Sequence, residues 1–212
     1  MTPAARVQAA IVIPDAILDG DAAEKALTHW ARGSRYAGSK DRAAVRDHVF
    51  QALRCLRSYA VLGGSQTGRG LLIGALRDDG IDPATLFTGE GHAPAPLTEL
   101  ERTPARGFAS AAEEHDIPDW LWPLWQRSLG AEAEGAARGL RQRAPTHLRV
   151  NLRKGPREVA IVRLAAEGIS AEAHPASPTA LNVIEGARKI RTSDSYLNGF
   201  VELQDAASQG VV

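Results

Sequence analysis

The sequence predicts an α+β protein of more than one domain, a helical region followed by a small α/β unit, and three observations carry that prediction. Apolar residues recur at helical spacing through most of the first 140 positions. From Ala144 the period changes, because THLRVNLRKG sets Leu148, Val150 and Leu152 on one face and Arg149, Asn151 and Arg153 on the other. Glycines and prolines fall where helices and strands would end.

Thr2 followed by Pro3 reads as an N-cap with proline at the first helical position, and Val7, Ile11 and Leu18 then mark an apolar stripe. Pro14 lies inside that pattern and should kink or split the helix. Asp21 can cap a second helix that Gly33 ends. Ser39 can cap a third, running to about Tyr59, stopped by Gly63 and Gly64. In that third helix Val45, Val49, Leu53 and Leu56 recur at helical spacing, which leaves Cys55 mid-helix among charged neighbours. GRGLLIGALRDDG gives a short fourth helix closed by Gly80. From Ile81 to about Ile117 the signal weakens to loops and short turns.

DIPDWLWPLWQRSLG resumes a helix with Pro118 or Asp119 in the capping position. There Trp120, Leu121, Leu124 and Trp125 sit at helical spacing, Pro123 interrupts, and the tryptophans read as core anchors rather than a base-stacking platform. AEAEGAARGLRQR closes the helical region. After the first strand, GPREVAIVRLAAEG is a helix with Gly155 at its start and Gly168 at its C-terminal end. ISAEAH and ALNVIEG are short extended pieces, SDSYLNG is a turn or helix, and FVELQ is a closing strand. Asp205 can cap one more helix of small residues, Ala206, Ala207 and Ser208.

Across 212 residues, 44% hydrophobic and 24% charged, the composition is that of a globular protein, and the longest apolar runs fall far below the roughly 20 residues of a membrane span. No secretory signal is read at the N-terminus, and the expected location is the cytoplasm. A single cysteine excludes an internal disulfide and a cysteine-based zinc cluster. Formal net charge is zero, which excludes a uniformly basic nucleic-acid binder. The charge is nonetheless uneven. Residues 31–58 hold seven Lys/Arg against Asp41 and Asp47, and residues 141–163 hold seven against Glu158 alone. Such blocks suit either phosphate binding or solvated, internally paired helix faces.

GGSQTGRG, Gly63 to Gly70, is a near miss to a phosphate-binding loop. Arg69 stands in for the lysine, Gly70 for the magnesium-binding hydroxyl, and no strand precedes it, so a helix–helix connection explains the glycines. The six histidines form no i, i+4 pair, and GxSxG and GxGxxG do not occur. No catalytic, cofactor-binding or metal-ligating residue is assigned in this chain.

Three stretches resemble the N-terminal half of the RsmB-type, or Nop/Sun, RNA cytosine-5 methyltransferases. RVQAAIVIPDAILDGDAAEKAL with GSKDRAAVRDHVFQALR is similar to their NusB-like helical domain. THLRVNLRKG with its helix resembles their small α/β, RRM-like subdomain, and LNGFVELQDAASQGVV resembles the QDxAS segment that leads into the catalytic fold. The resemblance implies a NusB-like domain over 1–142, the small subdomain over 143–199 and the start of a methyltransferase domain at 200–212. It further implies that the catalytic Rossmann-like domain, its S-adenosylmethionine loop and both family cysteines lie beyond Val212. The 212 residues are then expected to be an inactive piece of a longer S-adenosylmethionine-dependent enzyme, with no cofactor of their own.

What is left to this piece under the resemblance is capture of RNA, ribosomal RNA in particular, for a catalytic domain of the same polypeptide. The residues expected to take phosphates are Arg32, Arg35, Lys40, Arg42 and Arg46 on the helical domain, and Arg149, Arg153 and Lys154 on the α/β unit. Asn151 either contacts RNA or holds a turn with its side chain. Two alternatives stand beside this reading: a free-standing NusB-like factor binding RNA and a protein partner, and a protein-interaction module built on the tryptophan-rich 118–129 segment.

Overall fold

Thr2 starts the first helix as the sequence indicates, its side chain accepting a hydrogen bond from the Ala5 amide with Pro3 in the first turn. In the computed structural model, which describes residues 1–103 and 106–211, that helix is α1 (Pro3–Leu18). Val212 lies outside the described residues. Pro14 does not split α1. It removes one backbone hydrogen bond, but Val7, Ala10, Ile11 and Ile13 bury the helix against the core, and that packing holds the helix across the gap.

Four more helices follow: α2 (Ala23–Gly33), α3 (Ser39–Arg54), α4 (Leu56–Gly63) and α5 (Gly68–Asp78). Two expected caps are displaced. Asp21 bonds the Lys25 ammonium at 2.8 Å while Ala22 takes the cap position, and Ser39 is already helical behind Gly38. The helix expected to reach Tyr59 breaks at Cys55, which is buried rather than set among charges. The break is fixed from outside. Asp116, at φ 59°, accepts hydrogen bonds from the Arg57 and Ser58 amides, each at 2.9 Å, and from the Ser58 hydroxyl at 2.7 Å, and so caps α4. Arg141 Nε lies 3.0 Å from the same carboxylate, an ion-pair distance without hydrogen-bond alignment.

The glycines of the near-miss loop are packing residues. A Cβ on Gly63 would stand 1.8 Å from the Gly70 carbonyl oxygen, one on Gly74 2.1 Å from that of Tyr59, and one on Gly68 1.8 Å from that of Ile11. Helices α4 and α5 therefore touch backbone to backbone, and the Gly68 amide donates to Asp15 Oδ1 at 2.6 Å. The core of this unit joins α1 to α5 through Val7, Val45, Val49, Tyr59, Leu71 and Phe87.

Of the stretch with the weak signal, residues 81–103 and 106–117 form turns and the short α6 (Ala111–Glu114). Helix α7 (Trp122–Leu129) starts later than expected, so Pro123 sits harmlessly in its first turn. The later start turns the helix. Trp122 is buried and Trp125 donates its indole N–H to the Ala133 carbonyl at 2.8 Å, but Trp120 is 72% exposed and Leu124 faces solvent, so not every tryptophan is an anchor. Helix α8 (Ala133–Leu140) completes the first compact unit, residues 1–143.

The second unit, residues 144–212 by backbone contacts, has β1 (Thr146–Val150), α9 (Arg157–Ala166), β2 (Ser170–Ala173), β3 (Ala180–Glu185), α10 (Asp194–Leu197), β4 (Val201–Leu203) and α11 (Ala206–Gly210). The strands make one antiparallel sheet in the order β2-β3-β1-β4. Leu148, Val150, Leu164, Ile169, Leu181, Phe200 and Val201 form its core. Leu152, expected on the apolar face, is exposed because β1 ends at Val150 and the chain turns away. Asp205 caps α11 through the Ala207 amide at 2.8 Å, as expected.

Gly74→Ala should destabilise the first unit by at least about 3 kcal/mol in urea unfolding, since the added methyl overlaps a backbone oxygen. Gly135→Ala in α8, with open space around it, should instead gain up to about 1 kcal/mol. A second outcome is set by Glu101, whose carboxyl is held down to about 2 first by its hydrogen bond from Arg69 and also by Thr98. A depressed acid contributes stability above its unfolded pKa and loses it as pH falls through the folded one. Glu101→Gln should therefore lower the urea midpoint between pH 6 and 8, and the difference from the parent chain should shrink between pH 4.5 and about 2.

Candidate nucleic-acid interface

Strand β1 leads the chain into a cleft of about 770 Å³ lined by Arg149, Asn151, Arg153, Tyr196 and Glu202 among others. Arg149 lies on the exposed face of β1, paired in register with Ala180 of β3 and Glu202 of β4. Its guanidinium makes one long hydrogen bond, 3.4 Å to Gln204 Oε1. Asn151 shapes the turn that follows. Its Nδ2 donates to the Gly199 carbonyl at 3.2 Å and its Oδ1 accepts from the Arg153 amide at 3.1 Å, so of the two roles open to it the side chain performs the turn-holding one.

Arg153 has no side-chain partner among the described residues, while Lys154 donates to the Asn198 carbonyl. Glu202 makes no ion pair among the described residues and is the one acid of the cleft lining. A pair of guanidiniums over an open cleft can take a phosphate through paired N–H donors, with the Tyr196 ring on one wall. Among the described residues no nucleophile and base meet there.

The cations of the first unit divide into free and engaged ones. Arg32 lines a groove of about 950 Å³ beside α1 and α2, and Arg35 and Lys40 are exposed, all three without a side-chain partner among the described residues. Arg42 donates from Nε to the Ala37 carbonyl at 2.9 Å. Arg46 donates to Glu24 at 2.8 Å and lies 4.9 Å over the Phe50 ring. That hydrogen bonding holds the Glu24 carboxyl below its usual range and raises the Arg46 guanidinium, so the pair stays ionised.

Burial pushes the Cys55 thiol up, and the group points at the Arg141 carbonyl, which suits a packing cysteine and no nucleophile. Among the described residues no group of three or more His, Cys, Asp or Glu is gathered for a metal, and no helix is long and apolar enough to cross a membrane. Residues 63–70, the near miss to a phosphate-binding loop, are packed as a helix–helix connection, with Ser65 and backbone atoms filling the space beside Gly63, Gly68 and Gly70.

Sequence reasoning missed three residues. Gln209 is buried, accepts from Thr179 Oγ1 at 2.9 Å and donates to the Leu148 and Gln204 carbonyls at 3.2 and 3.0 Å. Glu202 was legible from the alternation of β4, between Val201 and Leu203. Tyr196 carries no sequence signal, because the turn of α10 alone brings it to the cleft.

A helix between β1 and β2, helical turns between β3 and β4, and an antiparallel order β2-β3-β1-β4 define a ferredoxin-like α/β domain. Residues 117–190 match the family model described as the RsmF/B-like methyltransferase ferredoxin-like domain. Ribosomal RNA small subunit methyltransferase B of Xanthomonas campestris pv. campestris is 30% identical over 113 residues, 53% of this chain and 25% of that protein. The crystal structure of PH0851 superposes on 98% of this chain with a TM-score of 0.56 at 15% identity, a likeness of fold, and this chain covers 54% of it. The chain thus spans about a quarter of the Xanthomonas protein's length and about half of that solved structure's. The family match, which includes the RVN stretch, and the Xanthomonas relative support an RsmB/Sun-family N-terminal region.

Asn151→Ala should cost about 1–2 kcal/mol of the second unit's stability through two lost hydrogen bonds, one of them from the Arg153 amide. Thermal unfolding measures it, and an unchanged midpoint would place the turn's stability elsewhere.

Proposed function

We propose that this chain is the RNA-binding N-terminal region of an S-adenosylmethionine-dependent ribosomal RNA cytosine-5 methyltransferase, which holds RNA for a catalytic domain of the same polypeptide. In this reading residues 1–142 are a NusB-like helical domain, 143–199 the small RRM-like subdomain and 200–212 the lead into the methyltransferase fold. One observation carries it: the cleft at the end of β1 gathers Arg149 and Arg153 within the segment that matches the RsmF/B-like domain. In this reading the two units contribute affinity and position for the bound RNA.

Phosphate contacts fall to the cations with little or no protein partner, Arg32, Arg35, Lys40, Arg149 and Arg153, with Lys154, next to Arg153 in the chain and bonded to the Asn198 carbonyl, in a lesser part. Arg42 and Arg46 serve the protein's own carbonyl and carboxylate first.

Fluorescence anisotropy with a labelled structured fragment of small-subunit ribosomal RNA tests the reading. Affinity should fall steeply as salt rises from 50 to 200 mM, and the double variant Arg149→Ala/Arg153→Ala should weaken binding and flatten the slope of log affinity against log salt by between one and two. Arg46→Ala should change the slope by much less. Salt-indifferent binding, or a slope untouched by the double variant, would remove the cleft from the interface.

A further inference from the structure

Two grooves on the first unit meet at one tryptophan. The first runs beside α1 and α2 past Val12, His29, Trp30 and Arg32. The second, about 1000 Å³, passes Val12, Trp30, Tyr36 and His92, and the two share Val12, Trp30 and Ser34. Trp30 is half-buried, packed against the core of the unit, whereas Tyr36 is 72% exposed and Val12 is exposed beside it. Two aromatic rings and a valine on an open surface are an unusual exposure for residues with so much apolar area.

The polar groups of the same surface decide what could cover it. Trp30 Nε1, the Tyr36 hydroxyl, the His29 and His92 rings and the Arg32 and Arg35 guanidiniums make no hydrogen bond among the described residues. An apolar helix laid into the groove would bury these donors unpaired, at a cost that offsets much of the apolar contact. The acids nearby are largely neutralised, Asp21 by Lys25 at 2.8 Å and Glu24 by Arg46, which leaves Glu90 against Arg32 and against Arg35, which stands between Ser34 and Tyr36 in the chain. Rings that offer a face, donors that want acceptors and a local excess of cations suit a strand of nucleotides: every base has a face to stack, and every linkage carries an anionic acceptor.

Resting on the RNA-binding reading above, we propose that the Trp30–Tyr36 groove binds unpaired nucleotides of an RNA strand, with bases stacked on the rings and Arg32 and Arg35 on the flanking phosphates. It is a second contact on the first unit, specific for single-stranded character rather than for sequence. Duplex RNA, whose bases are already stacked, gains nothing from the rings.

The test uses the whole chain and two labelled probes, a ten-nucleotide uridine homopolymer and a ten-base-pair RNA duplex. Tyr36→Ala, at an exposed position, should weaken uridine binding about 5- to 100-fold, the worth of one stacked base, and leave duplex affinity and the salt slope unchanged. Trp30→Phe keeps a ring and the fold and should retain most of the affinity, where Trp30→Ala loses it. If both probes bind and Tyr36→Ala affects neither, or both alike, the groove is no stacking site while the cleft at Arg149 and Arg153 stands. If neither probe binds, both readings fall. Should sedimentation show a dimer that Tyr36→Ala dissociates with uridine affinity intact, the occupant is a second copy of the chain and the proposal is overturned.

Discussion

Helices α4 and α5 approach so closely that carbonyl oxygens of one element occupy the space where side chains of the other would begin. Gly63 and Gly74 permit this contact, and Gly68 permits the matching approach of α5 to α1. Everything else in the first unit follows from that spacing. With the backbones in contact, Tyr59, Leu71, Leu72 and Ile73 can be wholly or nearly wholly buried in a unit whose helices are only four to sixteen residues long. Short helices are marginal alone, and close packing is what supports them.

The second constraint is polar. Asp116 is nearly sealed from solvent, with 5% of its side chain exposed, and burial raises its pKa while the Ser58 and Arg57 donors and Arg141 oppose that rise. One carboxylate thus ends α3, caps α4 and fastens the 111–141 segment to both, since Arg57 also reaches the Ile117 carbonyl and Asp119. Removing such a group leaves the Arg57 and Ser58 amides without their acceptor, which costs more than the net worth of the contacts.

Both constraints sort the cations. A chain with equal numbers of acids and bases can present a basic patch only where its acids lie elsewhere or are already paired, so the cations left without partners decide where such a patch falls. Arg46, Arg57, Arg69, Arg77 and Arg141 are committed to carboxylates or carbonyls of the fold, whereas Arg32, Arg35, Arg149 and Arg153 face solvent with few or no partners. The functional reading rests on that division rather than on charge density along the sequence, where the two kinds are indistinguishable.

Periodicity and turn chemistry alone determined the succession of a helical region and a strand-bearing one, the change of architecture near residue 144 and the caps at Thr2 and Asp205, and they offered the turn role as one of two for Asn151. These are local matters, decided by residues within a few positions of one another. The tertiary structure decided the rest. The break at Cys55 is invisible in the sequence because Val45, Val49, Leu53 and Leu56 keep helical spacing across it, and the carboxylate that imposes it lies some sixty residues away. Pro14 stays inside α1 because distant apolar partners outweigh one lost hydrogen bond, and Trp120 is exposed because α7 begins at Trp122, which rotates the helix away from the expected face. Which arginines are free was likewise settled by partners far along the chain, since an ion pair is a property of two positions in space and a sequence displays only one at a time.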